Sequence, residues 1–188
     1  MTEIKKSKSG QGLLEMIFAI GIMLLVVSAI LGLTTANLVG QKESELQIIA
    51  NNLAREGIEV ARNIRDSNWL AAANWDNGLT NLNSQHEGIV EFDSENNTWA
   101  IVPPGDDLLY LSPDGIYSHA PTSQSEQSIF HRRLTFYNIC QDQNGEEEIK
   151  SSDCITRKIG LKIISQVNWS DRGRQRSVTL EDLLYDWK

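Results

Sequence analysis

The chain has 188 residues, of which 40% are hydrophobic and 22% are charged, and its formal net charge at pH 7 is −8. This length allows one globular domain with an added extended segment. The negative charge disfavours a general nucleic-acid-binding role driven by the overall charge of the protein. The apolar residues are unevenly distributed and are concentrated near the N-terminus.

Residues 1–10 are short, polar and basic. Lys5, Lys6 and Lys8 stand against a single acid, Glu3. Basic residues beside a membrane span stay on the cytoplasmic side. We therefore interpret residues 1–10 as a leader peptide without regular structure, and expect the N-terminus to face the cytoplasm.

Residues 11–40 are predicted to form an apolar, membrane-spanning helix. The 25 residues from Met16 to Gly40 include no charged side chain, and a bilayer core requires about 20 apolar residues in helical form. The run nevertheless contains a carboxylate at its beginning, Glu15. A charge at the centre of a spanning helix costs about 2.5–3.5 kcal/mol on insertion scales, so an intramembrane acid indicates a functional role.

Residues 41–66 continue as an amphipathic helix. Apolar residues recur at intervals of three and four positions, as expected for a stripe along one face. The stripe comprises Leu46, Ile49, Leu53, Gly57, Val60 and Ile64. No proline or turn cluster separates this stretch from the preceding one. We therefore predict one continuous helix from about Gly12 to about Asp66, on the order of 80 Å long.

Residues 67–188 are predicted to form a β-rich globular domain. Short apolar runs separated by Pro-Gly and Asp-Gly turns precede longer alternating runs. The predicted strands are Gly88–Phe92, Thr98–Val102, Leu108–Leu111, Ile116–His119, Ser128–Cys140 and Thr156–Trp169, followed by a hairpin into the C-terminal strand. The expected fold class is α+β, with the long helix packed on a small, mainly antiparallel sheet.

Two cysteines, Cys140 and Cys154, follow the predicted span. Outside the cytoplasm such a pair forms a disulfide, here closing a loop of about 15 residues and contributing about 3 kcal/mol. Two buried free thiols are the alternative.

The N-terminal pattern resembles the processing signal of type IV pilins and pseudopilins. It combines a lysine-rich leader ending in Gly10, the sequence QGLLE with Glu15, and an uncharged apolar run. The resemblance implies cleavage between Gly10 and Gln11 by a prepilin peptidase, N-methylation of Gln11, and a filament-assembly role for Glu15. It extends loosely to the rest of the chain, which has a pilin-like order of long helix, sheet and late disulfide. Two residues depart from the family pattern. The residue after the cut is usually Phe or Met, whereas here it is Gln11, and many abundant pilins have a Pro at the position occupied here by Gly32.

The resemblance further implies a non-enzymatic structural subunit of a type IV pilus-like filament, more in keeping with a minor than a major pilin. Its expected partners are other pilin subunits, the peptidase, the membrane before assembly, and an assembly platform with its ATPase. The expected location is the cytoplasmic membrane, followed by an extracellular or periplasmic filament. A pseudopilin of a type II secretion system and a DNA-binding or adhesive tip pilin are alternatives. An ordinary signal peptide cleaved after Ala36, or a plain signal anchor, does not account for Glu15.

Other candidate sites are few. Arg172, Arg174 and Arg176 form a basic hairpin that is interpreted either as a nucleic-acid-binding patch or as a charged edge that limits aggregation. The acidic run DQNGEEE, residues 142–148, is interpreted as a solvated turn, with a calcium site as the alternative; no other cofactor or metal is expected. The histidines, His86, His119 and His131, lie far apart in the sequence and are expected at the surface, and no catalytic motif accompanies them.

Overall fold

A computed structural model describes residues 9–80, 82, 86–93 and 98–186, with side chains from residue 12 onward. The predicted leader therefore lies outside the described residues except for Ser9 and Gly10. These two residues begin a helix, in contrast to the unstructured leader expected from the sequence.

The first element is a single helix, α1, Ser9–Leu70, of 62 residues. The continuous helix predicted from about Gly12 to about Asp66 is confirmed and continues for one further turn. The helix ends where Ala72 adopts a left-handed backbone conformation with φ of 54°. The N–H of Ala73 then donates to the carbonyl oxygen of Asn68 at 2.9 Å, which satisfies a carbonyl group in the last turn.

The chain divides into two compact units between Glu45 and Leu46. Within the first unit, the described residues are helical and their side chains are almost all exposed. The second unit contains the remainder of α1 and a β-sheet. The predicted α+β class, with a long apolar N-terminal helix and an antiparallel sheet, is confirmed at this level.

Within the described residues eight strands form the sheet, and all of their pairings are antiparallel. The strands are β1 (Glu87–Asp93), β2 (Thr98–Val102), β3 (Leu108–Leu111), β4 (Tyr117–Ser118), β5 (Glu126–Gln141), β6 (Glu147–Lys150), β7 (Arg157–Asp171) and β8 (Arg174–Tyr185).

The longest strand, β5, organises the sheet. Along one edge it pairs with β7, which in turn pairs with β8. Its other edge is shared by β3, β1 and β6 in succession. β5 and β7 alternate buried and partly exposed side chains along most of their length, as expected for strands that bury one face.

The predicted stripe on α1 covers the buried face of the sheet. Two clusters of buried side chains form the core, one around Leu53, Phe130 and Trp169 and the other around Val60 and Ile163. The helix also buries Ala50, Ala54, Ile58 and Ala61, which were not part of the predicted stripe. Small side chains at three of these four positions allow the helix to approach the sheet closely.

Candidate functional site

The beginning of α1 carries the residues of the processing motif. The backbone of Gly10 and Gln11 lies in the first turns of the helix. Glu15 is one turn further along, and its side chain is exposed. Among the described residues no cation pairs with this carboxylate. Side chains three and four positions away face the same side of a helix, and here Gly12, Phe18 and Ala19 offer no charge. The described residues therefore supply no charged partner for Glu15.

The helix beyond Glu15 presents apolar side chains on all sides. One stretch has a mean hydropathy of 2.8 with no buried residues, so the helix is long and apolar enough to cross a membrane. It is the one candidate span within the described residues, and its place near the N-terminus is compatible with single-pass membrane anchoring. Gly32 lies within the uninterrupted helix.

Three hydroxyl groups within the apolar stretch are hydrogen bonded to the helix itself. The Oγ of Ser28 donates to the carbonyl oxygen of Leu25 at 2.9 Å, and Oγ1 of Thr34 donates to that of Ile30 at the same distance. Thr35 bonds back to Leu31 in the same way. Polar groups in lipid require such internal partners.

In the second unit, α1 is held to the sheet by charged groups as well as apolar contacts. Arg132 on β5 is 1% exposed, and its Nη1 lies 3.2 Å from Oε2 of Glu56 and 3.2 Å from the carbonyl oxygen of Leu53. Burial lowers the pKa of Arg132, whereas the charge of Glu56 opposes this shift. Nearer the end of the helix, Arg62 donates to Asp182 on β8 at 3.0 Å.

The basic hairpin joins β7 to β8 through a two-residue turn. Asp171 and Arg174 are paired in register, and the turn residues Arg172 and Gly173 have φ of 51° and 75°. Arg172 and Arg174 are exposed, and neither forms an ion pair with another described residue. Arg176 is half-buried. The structure thus places the three predicted arginines together at one end of the long strands.

The disulfide predicted between Cys140 and Cys154 is confirmed, with a Cα–Cα distance of 5.4 Å. It lies at the end of the sheet opposite the basic hairpin, because Gln141 pairs with Arg157 at the beginning of β7. Ile155, the residue directly after the closed loop, is 94% exposed.

The acidic run of residues 142–148 forms an exposed turn followed by β6. The carboxylate of Asp142 accepts hydrogen bonds from the N–H groups of Glu146 and Asn144, both at 2.8 Å. These bonds lower the pKa of Asp142. In this run the structure describes no group of three side chains arranged to hold a metal ion.

The three histidines do not share one environment. His119 is 6% exposed, so its predicted surface position is wrong. Its Nδ1 lies 3.2 Å from the carbonyl oxygen of Leu108, and its Nε2 has no partner among the described residues. Burial, reinforced by the charge of Arg132, lowers the pKa of His119 to about 4. The ring is buried because the short strand β4 brings the chain back across β3. His86 and His131 are half-buried.

A cluster not expected from the sequence joins Asp106, Asp107 and His131, whose ligand atoms lie within 4.8 Å of one another. Both carboxylate oxygens of Asp107 are engaged, by Nδ1 of His131 at 2.8 Å and by Nη2 of Arg133 at 2.9 Å. Partial burial raises the pKa of Asp107, but the hydrogen bond from His131 and the charge of Arg133 outweigh it and leave the pKa lowered. The guanidinium group of Arg133, which is paired with Asp107, would repel a metal cation at this cluster.

No protein-family model, curated protein or solved structure matches the chain. The assignment of a function therefore depends on the residues of the chain itself.

Proposed function

We propose that this chain is a structural subunit of a type IV pilus-like filament that assembles through its N-terminal helix. The observation that carries the proposal is the position of Glu15. It is a lone carboxylate, without a cationic partner among the described residues, at the start of a helix whose next 25 residues are uncharged and exposed. A lipid-embedded acid of this kind requires a partner.

A neighbouring subunit can supply that partner. Cleavage after Gly10 would create an α-amine on Gln11, close to the depth of Glu15 in the helix. In a bundle of such helices, the amine of one subunit neutralises Glu15 of the next, and the low dielectric strengthens this attraction. Removing one member of the pair would leave a buried charge unpaired, at a cost of about 3–5 kcal/mol. The pair therefore fixes the register between subunits.

The second unit supports an extracytoplasmic location for the remainder of the chain. The basic leader favours an N-terminus inside the cell, and the disulfide between Cys140 and Cys154 fits an oxidising compartment. In this proposal, a prepilin peptidase cuts the leader, the subunit waits in the membrane, and an assembly platform with its ATPase moves it into the filament. The role is structural and requires no catalytic site.

Intact-mass measurement of the mature protein tests the processing step. We expect a chain that begins at Gln11 and carries one methyl group on its α-amine. Cyclisation of Gln11 would remove the amine charge and contradict the proposed pairing. A mature chain that begins at Asn37, or one that retains Met1, would contradict membership of this class.

Substitution of the acid tests the assembly step. Glu15→Ala should enter the membrane normally but appear in sheared surface fibres at a much lower level than the wild-type chain. Ser28→Ala is the matched control, since it removes a polar group from the same helix without removing a charge. Normal incorporation of the Glu15 variant would show that the carboxylate does not set the register.

A pseudopilin of a type II secretion system would share the processing motif, the helix and the disulfide. The two proposals differ in the machine that uses the subunit. Deletion of the pilus assembly ATPase should remove the chain from surface fibres in the first case, whereas deletion of the secretion ATPase should do so in the second.

A further inference from the structure

The two ends of the long strands carry opposite charge. At one end, the hairpin of residues 171–176 has three arginines and one aspartate. At the other end, residues 142–156, which cover most of the disulfide loop of residues 140–154, have five carboxylates and one lysine. The register fixes these positions, since Asp171 pairs with Arg174 at the first end and Gln141 with Arg157 at the second.

The two charged ends of one chain are too far apart to interact with each other. The connecting strand β7 has 15 residues, which at about 3.3 Å per residue separates its ends by about 45 Å. Charges in physiological salt are screened over about 8 Å. The acidic end of the same chain therefore cannot supply a complementary charge to Arg172 and Arg174.

Arginine occupies a position in the hairpin turn whose left-handed backbone conformation disfavours it. Arg172 has a φ of 51° in the turn, where Asn, Asp or Gly is normally preferred. Together with Arg174 it projects two exposed guanidinium groups from the tip. Arginine at this position gives the tip a charge that a better turn-forming residue would not provide.

We propose that the basic hairpin of one copy docks on the acidic disulfide loop of a second copy. This inference deepens the proposed function and rests on it, because a contact between opposite ends is heterologous, and a heterologous contact that does not close into a ring gives an open helical assembly. The net charge of −8 disfavours a polyanion as the partner, whereas another copy brings an acidic loop of matching sign. Ile155, 94% exposed directly after that loop, adds an apolar side chain to the charged contact.

Photo-cross-linking in intact cells tests the contact. A photoactivated amino acid replaces Gln175, which is exposed beside the hairpin arginines, in the full-length chain. Light and heavy isotope-labelled copies are co-expressed, so that contacts between copies can be distinguished. We expect mixed light–heavy adducts whose second peptide comes from residues 142–157.

Charge variants identify the interacting groups. Arg172→Glu combined with Arg174→Glu should reduce the adduct about tenfold. Introducing Glu146→Arg and Asp153→Arg into the same chain should restore it. Arg55→Glu is the matched control, because it reverses an exposed arginine on α1, outside both the hairpin and the acidic end, and should leave the adduct at wild-type level.

Other results would overturn the inference. Adducts to phospholipid, to nucleic acid, to a different protein or to another part of a second copy would assign the hairpin a different partner, and absence of adducts would remove the contact. An adduct unaffected by charge reversal would exclude the electrostatic basis. Analysis of sheared fibres tests the proposed function separately. Fibres that contain the chain but lack this adduct would refute the inference alone, whereas absence of the chain from the fibres would refute the proposed function.

Discussion

Replacing Gly57 by alanine tests how closely α1 packs against the sheet. An added Cβ would lie 2.9 Å from Oγ of Ser165 and 3.2 Å from Cδ1 of Leu134. Both neighbouring side chains are 0% exposed, so neither has free space into which to move. Overpacking of this kind costs about 1–3 kcal/mol, while alanine gains about 1 kcal/mol over glycine within a helix. We expect a net destabilisation of about 1 kcal/mol.

Removing the hydroxyl group of Ser165, the nearer of the two contacts, should make Gly57→Ala stabilising instead of destabilising. The hydroxyl of Ser165 is buried and has no hydrogen-bond partner among the described residues, so Ser165→Ala should have little effect on stability or should increase it. In that background the new methyl group of Gly57→Ala occupies the space left by the hydroxyl. The helix gain then remains, and the double variant should be about 1 kcal/mol more stable than Ser165→Ala alone. The expected coupling energy is about 2 kcal/mol.

Urea unfolding of the full-length chain in detergent, followed by tryptophan fluorescence, measures this cycle. The chain has five tryptophans, and all lie at position 69 or later, so the signal reports on the second unit. Gly105→Ala is the control, since a Cβ there would meet nothing within 4 Å. If the urea midpoint of Gly57→Ala equals that of the wild-type chain, the inference that helix and sheet approach too closely here for an added methyl group is wrong.

Three further predictions concern the second unit. Reduction of the bond between Cys140 and Cys154 should destabilise it by about 3 kcal/mol, seen as a lower urea midpoint with dithiothreitol and an unchanged midpoint for the Cys140→Ser/Cys154→Ser double variant on the same addition. The pKa of His119 is about 4 in the folded chain, against 6.5 for an ordinary histidine. The unfolded chain therefore takes up the proton first, and the free energy of unfolding should fall as the pH drops from 6.5 to 4. His119→Gln should flatten this pH dependence, and an unchanged slope would show that other groups cause it. Arg172→Asn should stabilise the hairpin by about 0.5–1 kcal/mol, because asparagine tolerates the left-handed conformation better, and a lower unfolding midpoint would contradict this reading of the turn.

The elements with strong local signals were predictable from the sequence. β2 and β3 have the bounds expected from their apolar runs, since turn residues mark both ends. The stripe on α1 was also predictable, because its spacing depends on helix geometry alone. The sequence did not predict β6, because Glu147–Lys150 lies in an acidic run with no alternating pattern. This strand is defined by its backbone pairing with β5, and its side chains carry no signal for it.

The environment of single polar residues depends on pairing between distant strands and could not be predicted. In the sequence, Arg132 is one of two adjacent arginines in a predicted strand, and nothing marks it as buried. Its burial against Glu56 depends on how β5 is placed beneath α1. His119 is buried for a similar reason, since β4 folds back on β3. For the candidate site, the sequence identified Glu15, the disulfide and the basic hairpin, but not the separation of the last two at opposite ends of the sheet.

The hydroxyl groups of Ser28, Thr34 and Thr35 bond to carbonyl groups of their own helix. These three hydroxyl groups keep the same hydrogen bonds in any apolar surrounding. Transfer of this segment from acyl chains to a group of similar helices would therefore leave all three with their partners. These hydroxyl groups would therefore not oppose movement of the segment from one apolar medium to another.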